Sequence, residues 1–174
     1  MWADAPLLPM STPFAESATS AFDVGALGPR LAALGPVLCL YRRELARPEH
    51  PPDWLALCAA RAQALCELSS EGPREALRFF DVAGRPLLQV CLLSDSDFLG
   101  WEQALQAPCV QRDPSPSPLC QLPWLARLRW RARLLRFDSA AVVAHRSSRP
   151  TISAAGMCLA VDWCRRYGCS LVED

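Results

Sequence analysis

The sequence predicts an α+β protein, an antiparallel β-sheet with helices packed against it, on three local observations. Two apolar runs, Leu77 to Phe80 and Leu87 to Leu93, flank Asp81-Val82-Ala83-Gly84. Asp first and Gly fourth suit a type I turn, so the runs pair back as a hairpin. Ser94-Asp95-Ser96-Asp97 then offers N-caps to a helix in which Phe98, Trp101 and Leu105 recur at i, i+3 and i+7. Near the end of the chain, Ile152, Ala155, Leu159, Trp163 and Tyr167 make one apolar helical face. Thr151 or Ser153 can cap that helix, Arg165 and Arg166 suit its last turn, and Gly168 stands just beyond it. The local preferences agree with one another, as they do in a foldable unit.

The remaining elements follow in order. Pro29 suits a first helical position and Gly35-Pro36 a helix end. Val37 to Tyr41 is apolar and β-branched enough for a strand. Prolines 48, 51 and 52 mark a loop. Trp54 to Cys66 is rich in Ala and Leu and is expected to be helical by propensity, a reading preferred over a competing one that places sheet in part of this stretch. From Arg127 to Leu134, Arg alternates with Leu, Trp and Ala, the period of a half-buried strand. Its residues also form helices well, but on a helix the arginines would scatter around the axis, so a strand is preferred. Residues 1–22, rich in Pro, Ser, Ala and Thr, are expected to form a mobile arm. Residues 23–108 form the α+β unit, 109–123 a proline-rich linker, and 124–174 a basic strand or helix plus the C-terminal helix.

With 174 residues the chain has room for one domain, or for one domain and a tail. Although 51% of its residues are hydrophobic, no run approaches the ~20 residues of a membrane span. The first residues carry Asp4 and no basic stretch, unlike a secretory signal. A cytoplasmic protein without membrane insertion is expected. The nine cysteines are odd in number, and Cys39, Cys58, Cys66 and Cys91 lie in apolar runs, so reduced thiols are expected. The spacing of Cys158, Cys164 and Cys169 suits zinc poorly. All 18 basic residues are Arg, which a GC-rich coding bias explains.

The formal net charge is zero but polarised. Residues 1–113 hold nine arginines and fourteen acids, whereas residues 114–149 hold seven arginines and only Asp138. The Arg row at 127–133 admits three readings: a solvated or ion-paired face, a site for an anionic small molecule, or a nucleic-acid contact. Overall neutrality argues against a dedicated nucleic-acid binder. No nucleophile elbow, glycine-rich phosphate loop or diagnostic carboxylate pair is present. The only histidines are His50, in the proline loop, and His145, in the basic stretch.

Residues 27–106 carry a resemblance. Ala76-Leu77-Arg78-Phe79-Phe80-Asp81 with Gly84, then Leu88-Gln89-Val90-Cys91-Leu92, then Ser94 to Asp97 and Trp101 follow a repeat-unit pattern. Leu34-Gly35-Pro36-Val37 through Tyr41-Arg42-Arg43-Glu44 echoes a second, upstream part of it. The stretch resembles the bacterial hemin-degrading factor and haem-carrier family (HemS, ChuX and HutX type). That resemblance implies a haem-carrier-like fold, haem as cofactor, and a cytoplasmic haem-binding or haem-trafficking role; with no catalytic motif present, independent catalysis is not expected. It also implies a linker between halves at 109–123 and a truncated or replaced second half after it. The alternative is a non-enzymatic interaction or regulatory module on the same fold.

If haem binds, its propionates call for arginines, which match carboxylates bidentately. Arg42, in the upstream motif, and Arg129, in the Arg row, are the candidates. Tyr41 or His145 would reach the iron, with His145 the candidate axial ligand and no other metal site expected. Trp124 or Trp130 could stack on the porphyrin. The plainer reading makes Tyr41 a core side chain and Arg42 a surface one. The expected partner is haem or another anionic small molecule, with a homodimer or protein partner left open.

Overall fold

Asp81 closes the central hairpin with both its backbone and its carboxylate. Its backbone N–H donates to Arg85 O at 3.0 Å and its carbonyl accepts from Gly84 N at 3.0 Å. Its Oδ1 accepts from the backbone N–H of Ala83 and of Arg85, and its Oδ2 from Arg85 Nε at 2.7 Å. Gly84 has φ 75°, a left-handed conformation that costs Gly little. The turn therefore has the loop-plus-left-handed-Gly geometry of a three-residue hairpin.

The structure, a computed structural model, describes residues 21–42, 59–69, 72–107, 130–137 and 150–172. Its strands are β1 (Ala21–Phe22), β2 (Pro36–Arg42), β3 (Arg61–Ser69), β4 (Gly72–Phe80), β5 (Pro86–Leu92) and β6 (Trp130–Arg136). Its α-helices are α1 (Val24–Leu27), α2 (Phe98–Leu105) and α3 (Ala154–Arg166), and a 3-10 helix spans Gly28–Leu34. The strands form one sheet in the order β1-β3-β4-β5-β2-β6. Every pairing is antiparallel. The predicted α+β class is the observed one.

Alternation sorts the sheet residues onto two faces. Val37, Cys39, Tyr41, Leu77, Phe79, Leu88, Val90 and Leu92 meet α1, the 3-10 helix and α2 through Leu27, Leu31, Leu34, Trp101 and Ala104. Leu38, Leu40, Ala76, Cys91, Ala132 and Leu134 meet α3 through Ala160, Trp163 and Cys164. The result is three layers with the sheet in the middle. No helix among the described residues is long and apolar enough to cross a membrane.

The helix expected over Trp54 to Cys66 is corrected: its described part is strand. Arg61 to Ser69 pairs along the whole of β4, from Arg61↔Phe80 to Ser69↔Gly72. Ala62 and Ala64 pack on one face and Leu65 on the other. A nine-residue ladder with both faces in contact outweighs a helix propensity worth a few tenths of a kcal/mol per residue. The arm expected over residues 1–22 is corrected at its end, where Ala21 and Phe22 form β1 and pair with β3 because Phe22 is buried in the core. Residues 1–20, 43–58 and the linker at 109–123 lie outside the described residues.

Elsewhere the expected elements are present with shifted faces. The helix expected from Pro29 to Gly35 is a 3-10 helix that ends at Gly35 with φ 69°. The described part of the Arg row, from Trp130 onward, folds as the preferred strand and enters the sheet beside β2. Asp97 caps α2 through the N–H groups of Leu99 and Gly100, but Phe98 is exposed while Gly100, Trp101 and Ala104 are buried. Gly100 faces inward because any Cβ there would collide with the Ala33 carbonyl. Ser153 caps α3 through the Gly156 N–H at 3.1 Å. Ala155 is exposed, while Ile152, Leu159, Trp163 and Tyr167 of the expected face pack against the core together with Gly156, Ala160 and Cys164. The six described cysteines (39, 66, 91, 158, 164 and 169) are free thiols.

Phe79 is fully buried, so Phe79→Ala should cost roughly 3–5 kcal/mol in a urea titration. Asp81 supports a pH-dependent prediction. Burial pushes its carboxyl up, but the hydrogen bonds from Arg85 and Ala83 and the Arg85 charge outweigh this and hold it below its usual value. A depressed folded-state pKa adds stability above the unfolded carboxylate range, and that stability is lost as pH falls through the folded value. Asp81→Asn should therefore lower the urea midpoint at neutral pH, by about 1–3 kcal/mol in free energy. The gap to the parent should close as pH drops below ~4.

Candidate functional site

The most polar part of the interior lies on the α3 side of the sheet. Arg78 and Gln89 are register partners on β4 and β5, facing α3 between the apolar neighbours Leu77 and Phe79 and Leu88 and Val90. Arg78 Nε donates to Gln89 Oε1 at 3.0 Å, and Arg78 Nη2 donates to the Tyr167 hydroxyl at 2.8 Å. The Tyr167 hydroxyl donates onward to Gln89 Oε1 at 2.9 Å, and Gln89 Nε2 donates to Cys91 Sγ at 3.3 Å. Gln89 is fully buried, so these bonds satisfy an amide that would be costly to leave bare. Tyr167 is brought in by the turn that ends α3, where it stands edge-on to Trp130 at 5.7 Å and tilted against Trp163 at 6.1 Å.

Three further arginines share this face, of which Arg74 is paired with Asp162 of α3. Arg61 lies over the Phe80 ring, 4.7 Å from its centroid. Arg42 ends β2 opposite Trp130 of β6. In register order Arg61, Phe80, Arg42 and Trp130 fall in the row next to that of Arg78 and Gln89. Besides the Arg74–Asp162 pair, the face therefore offers guanidinium groups at Arg42, Arg61 and Arg78, an aromatic floor and a phenol held by two hydrogen bonds. The Arg78 guanidinium hydrogen-bonds to two neutral groups, and among the described residues no carboxylate pairs with it. Such a group is prepared to accept an anion.

The sequence-derived site residues separate on the structure. Tyr41 is 6% exposed and packs in the core on the α2 side of the sheet. Arg42, its neighbour on the strand, is half-buried on the α3 side. Period-2 alternation thus sends the two to opposite faces, and they do not form one pocket. The plainer reading of Tyr41 as a core side chain is the observed one. Arg129 and His145 lie outside the described residues, as does His50. From the Arg row, Arg131 and Arg133 point to the α2 side with Leu135, half-buried, opposite Tyr41 and Cys39. No group of three metal-ligating side chains occurs among the described residues.

Sequence reasoning passed over Arg78 and Gln89. A signal was available, because both are polar residues inside continuous apolar strand runs, where a buried polar group needs a partner. Tyr167 was placed correctly on the α3 face but as packing alone, without its hydroxyl.

No family model matches the chain, and no curated protein matches it. Among solved structures, the heme degrading enzyme ChuS of Escherichia coli O157:H7 is 20% identical over 49% of this chain, with a TM-score of 0.40. Holo-PhuS, a heme-binding protein from Pseudomonas aeruginosa, is 19% identical over 54% of this chain, with a TM-score of 0.43. A further ChuS structure, described as an E. coli heme oxygenase, matches at 20% identity and a TM-score of 0.40. The matched part is 34% of each of those chains, so this chain corresponds to about a third of their length. One expectation is corrected here. The chain was expected to lack catalysis, whereas two of these structures are described as a degrading enzyme and an oxygenase. The exclusion rested on missing nucleophile, phosphate-loop and carboxylate motifs, and such motifs are not required where a cofactor carries the chemistry.

Tyr167→Phe removes the hydroxyl that joins Arg78 to Gln89. It should lower stability by about 1–2 kcal/mol in a urea titration, the worth of one or two hydrogen bonds including one to a charged group. Stability equal to the parent would show that the network contributes no net energy.

Proposed function

We propose that the chain binds haem in a bacterial haem-utilisation system and passes it on within the cytosol. The observation that carries the reading is the half-buried Arg78 guanidinium, hydrogen-bonded to neutral groups alone on a face shared with Arg42, Arg61 and the Trp130 ring. Keeping a cation part-buried without a carboxylate is costly, and a dianionic ligand offsets that cost. The resemblance of residues 27–106 to haem-carrier repeats supplies the ligand class. The residues present suit the carboxylate end of haem: Arg42 and Arg78 would hold the propionates, with Arg129 as a further donor. The ring of Trp130 is an amphipathic surface for a porphyrin edge. Tyr41 is turned to the other face, so His145 is the better axial candidate. Bound haem would supply the iron chemistry, and the protein would supply orientation and charge.

Haemin titration followed by absorbance tests the reading. The parent should give a saturable Soret shift. Arg78→Glu and Arg42→Glu should each weaken binding roughly tenfold or more, the effect of losing about 1.4 kcal/mol. Arg129→Glu should weaken it without changing the spectrum, and His145→Ala should remove any low-spin signature. Unsaturable browning of the parent, or identical affinities across the Arg variants, would overturn the proposal.

A further inference from the structure

We propose that Cys164 and Cys169 are a peroxide-oxidisable thiol pair whose disulfide locks the turn that ends α3. This inference stands apart from haem binding. The turn closes with two backbone bonds, Cys169 N to Cys164 O at 3.0 Å and Gly168 N to Arg165 O at 3.2 Å, with Gly168 at φ 60°. That is the Schellman arrangement, in which the residues at positions 164 and 169 lie against each other across the helix end. In most such caps this pair is an apolar contact. Here both members are thiols, and they pack in the α3-side core with Cys91.

The chemistry of the two thiols differs. Cys169 Sγ donates to the Cys164 carbonyl at 3.6 Å, across the helix end. The adjoining Cys169 side chain draws the Cys164 thiol below its usual value despite its burial, while Cys164 and burial push Cys169 up. Cys164 is therefore the attacking sulfur and Cys169 the resolving one. Cys164 is 5% exposed, which admits a small oxidant and hinders a bulky disulfide. The Cys164 thiolate attacks hydrogen peroxide: an S–O bond forms, the O–O bond breaks, and hydroxide leaves as water. The Cys169 sulfur then attacks the sulfenic acid. An S–S bond forms, the S–O bond breaks, and the departing hydroxide takes the Cys169 proton as a second water. Two thiols lose two hydrogens while one peroxide becomes two waters.

The linkage closes a loop that contains Tyr167, whose hydroxyl holds Arg78 and Gln89. Oxidation therefore fixes the element that carries the phenol of the polar network.

The test uses the full chain, reduced, then treated with hydrogen peroxide, alkylated and digested with trypsin. Arg165 and Arg166 lie between the two cysteines, so the disulfide joins two tryptic peptides with the loss of two hydrogens. The expected result is that linked pair, reversed by dithiothreitol and formed several-fold faster in buffer than in strong urea. In Cys169→Ser, Cys164 should instead accumulate as sulfenic or sulfinic acid. Three results would overturn the proposal: oxidation of exposed Cys158 while Cys164 and Cys169 remain alkylatable, a link from Cys164 to Cys91, or equal rates of linkage in buffer and urea.

Discussion

The turn at residues 94–97 holds the three layers together. Its Ser96 hydroxyl donates to the Pro36 carbonyl at 2.5 Å and accepts from Leu93 N at 2.8 Å, tying the end of β5 to the start of β2. The Asp97 backbone N–H donates to Leu34 O at 2.8 Å while its carboxylate caps α2, so the 3-10 helix and α2 are fixed to one residue. Asp95 works on the opposite face: its carboxylate accepts from Ser153 N at 3.0 Å and from Ser153 Oγ at 2.9 Å, gripping the start of α3. Gly156 permits that approach, because a Cβ there would strike the Asp95 carboxylate. Two short carboxylates at alternate positions of one turn thus orient a helix on each side of the sheet, each acting at a helix N-terminus where negative charge is favourable.

This constraint explains which parts of the fold were legible in the sequence. The hairpin, the capped α2 and the Ser153 cap depend on contacts within a few residues, and turn and cap chemistry encode them directly. The faces of α2 and α3 were less legible. Phe98 and Ala155 fit the apolar spacing but sit in the first turn of their helices, where the grip of Asp97 and Asp95 sets the rotation. Gly100 and Gly156 take inward positions near those first turns, while Trp101 and Leu105 of α2 and Ile152, Leu159, Trp163 and Tyr167 of α3 pack where the spacing put them. Residues 61–66 were the least legible. Their Ala and Leu content favours a helix, and only pairing with β4, from Arg61↔Phe80 onward, makes them strand.

The candidate site follows the same division. Arg42 was found because a motif surrounds it, and its alternation with Tyr41 was sufficient to place the two on opposite faces. Arg78, Gln89 and Tyr167 meet only after β4, β5 and the end of α3 come together across 11, 78 and 89 positions of sequence. No periodicity carries information over those separations. The local trace they leave is a polar residue at an inward strand position, which marks a buried partner without naming it.

The network also acts on the fold that creates it. A slip of one residue between β4 and β5 would turn Arg78 or Gln89 to the α2 side, among Leu77, Phe79, Leu88 and Val90, and leave a charge or an amide unsatisfied there. Apolar residues line both faces of these strands and tolerate such a slip far better than a polar pair does. Hydrophobic burial therefore drives the sheet together, while the Arg78–Gln89–Tyr167 triangle restricts it to one register. The bulge between Phe79 and Phe80 follows immediately, absorbing the mismatch at the hairpin turn on the side where Asp81 fixes its geometry. Polar groups at two points, the triangle and the Asp81 turn, thus define an alignment that the apolar majority of the hairpin leaves degenerate. The guanidinium proposed to receive an anion is one of the groups that sets this register.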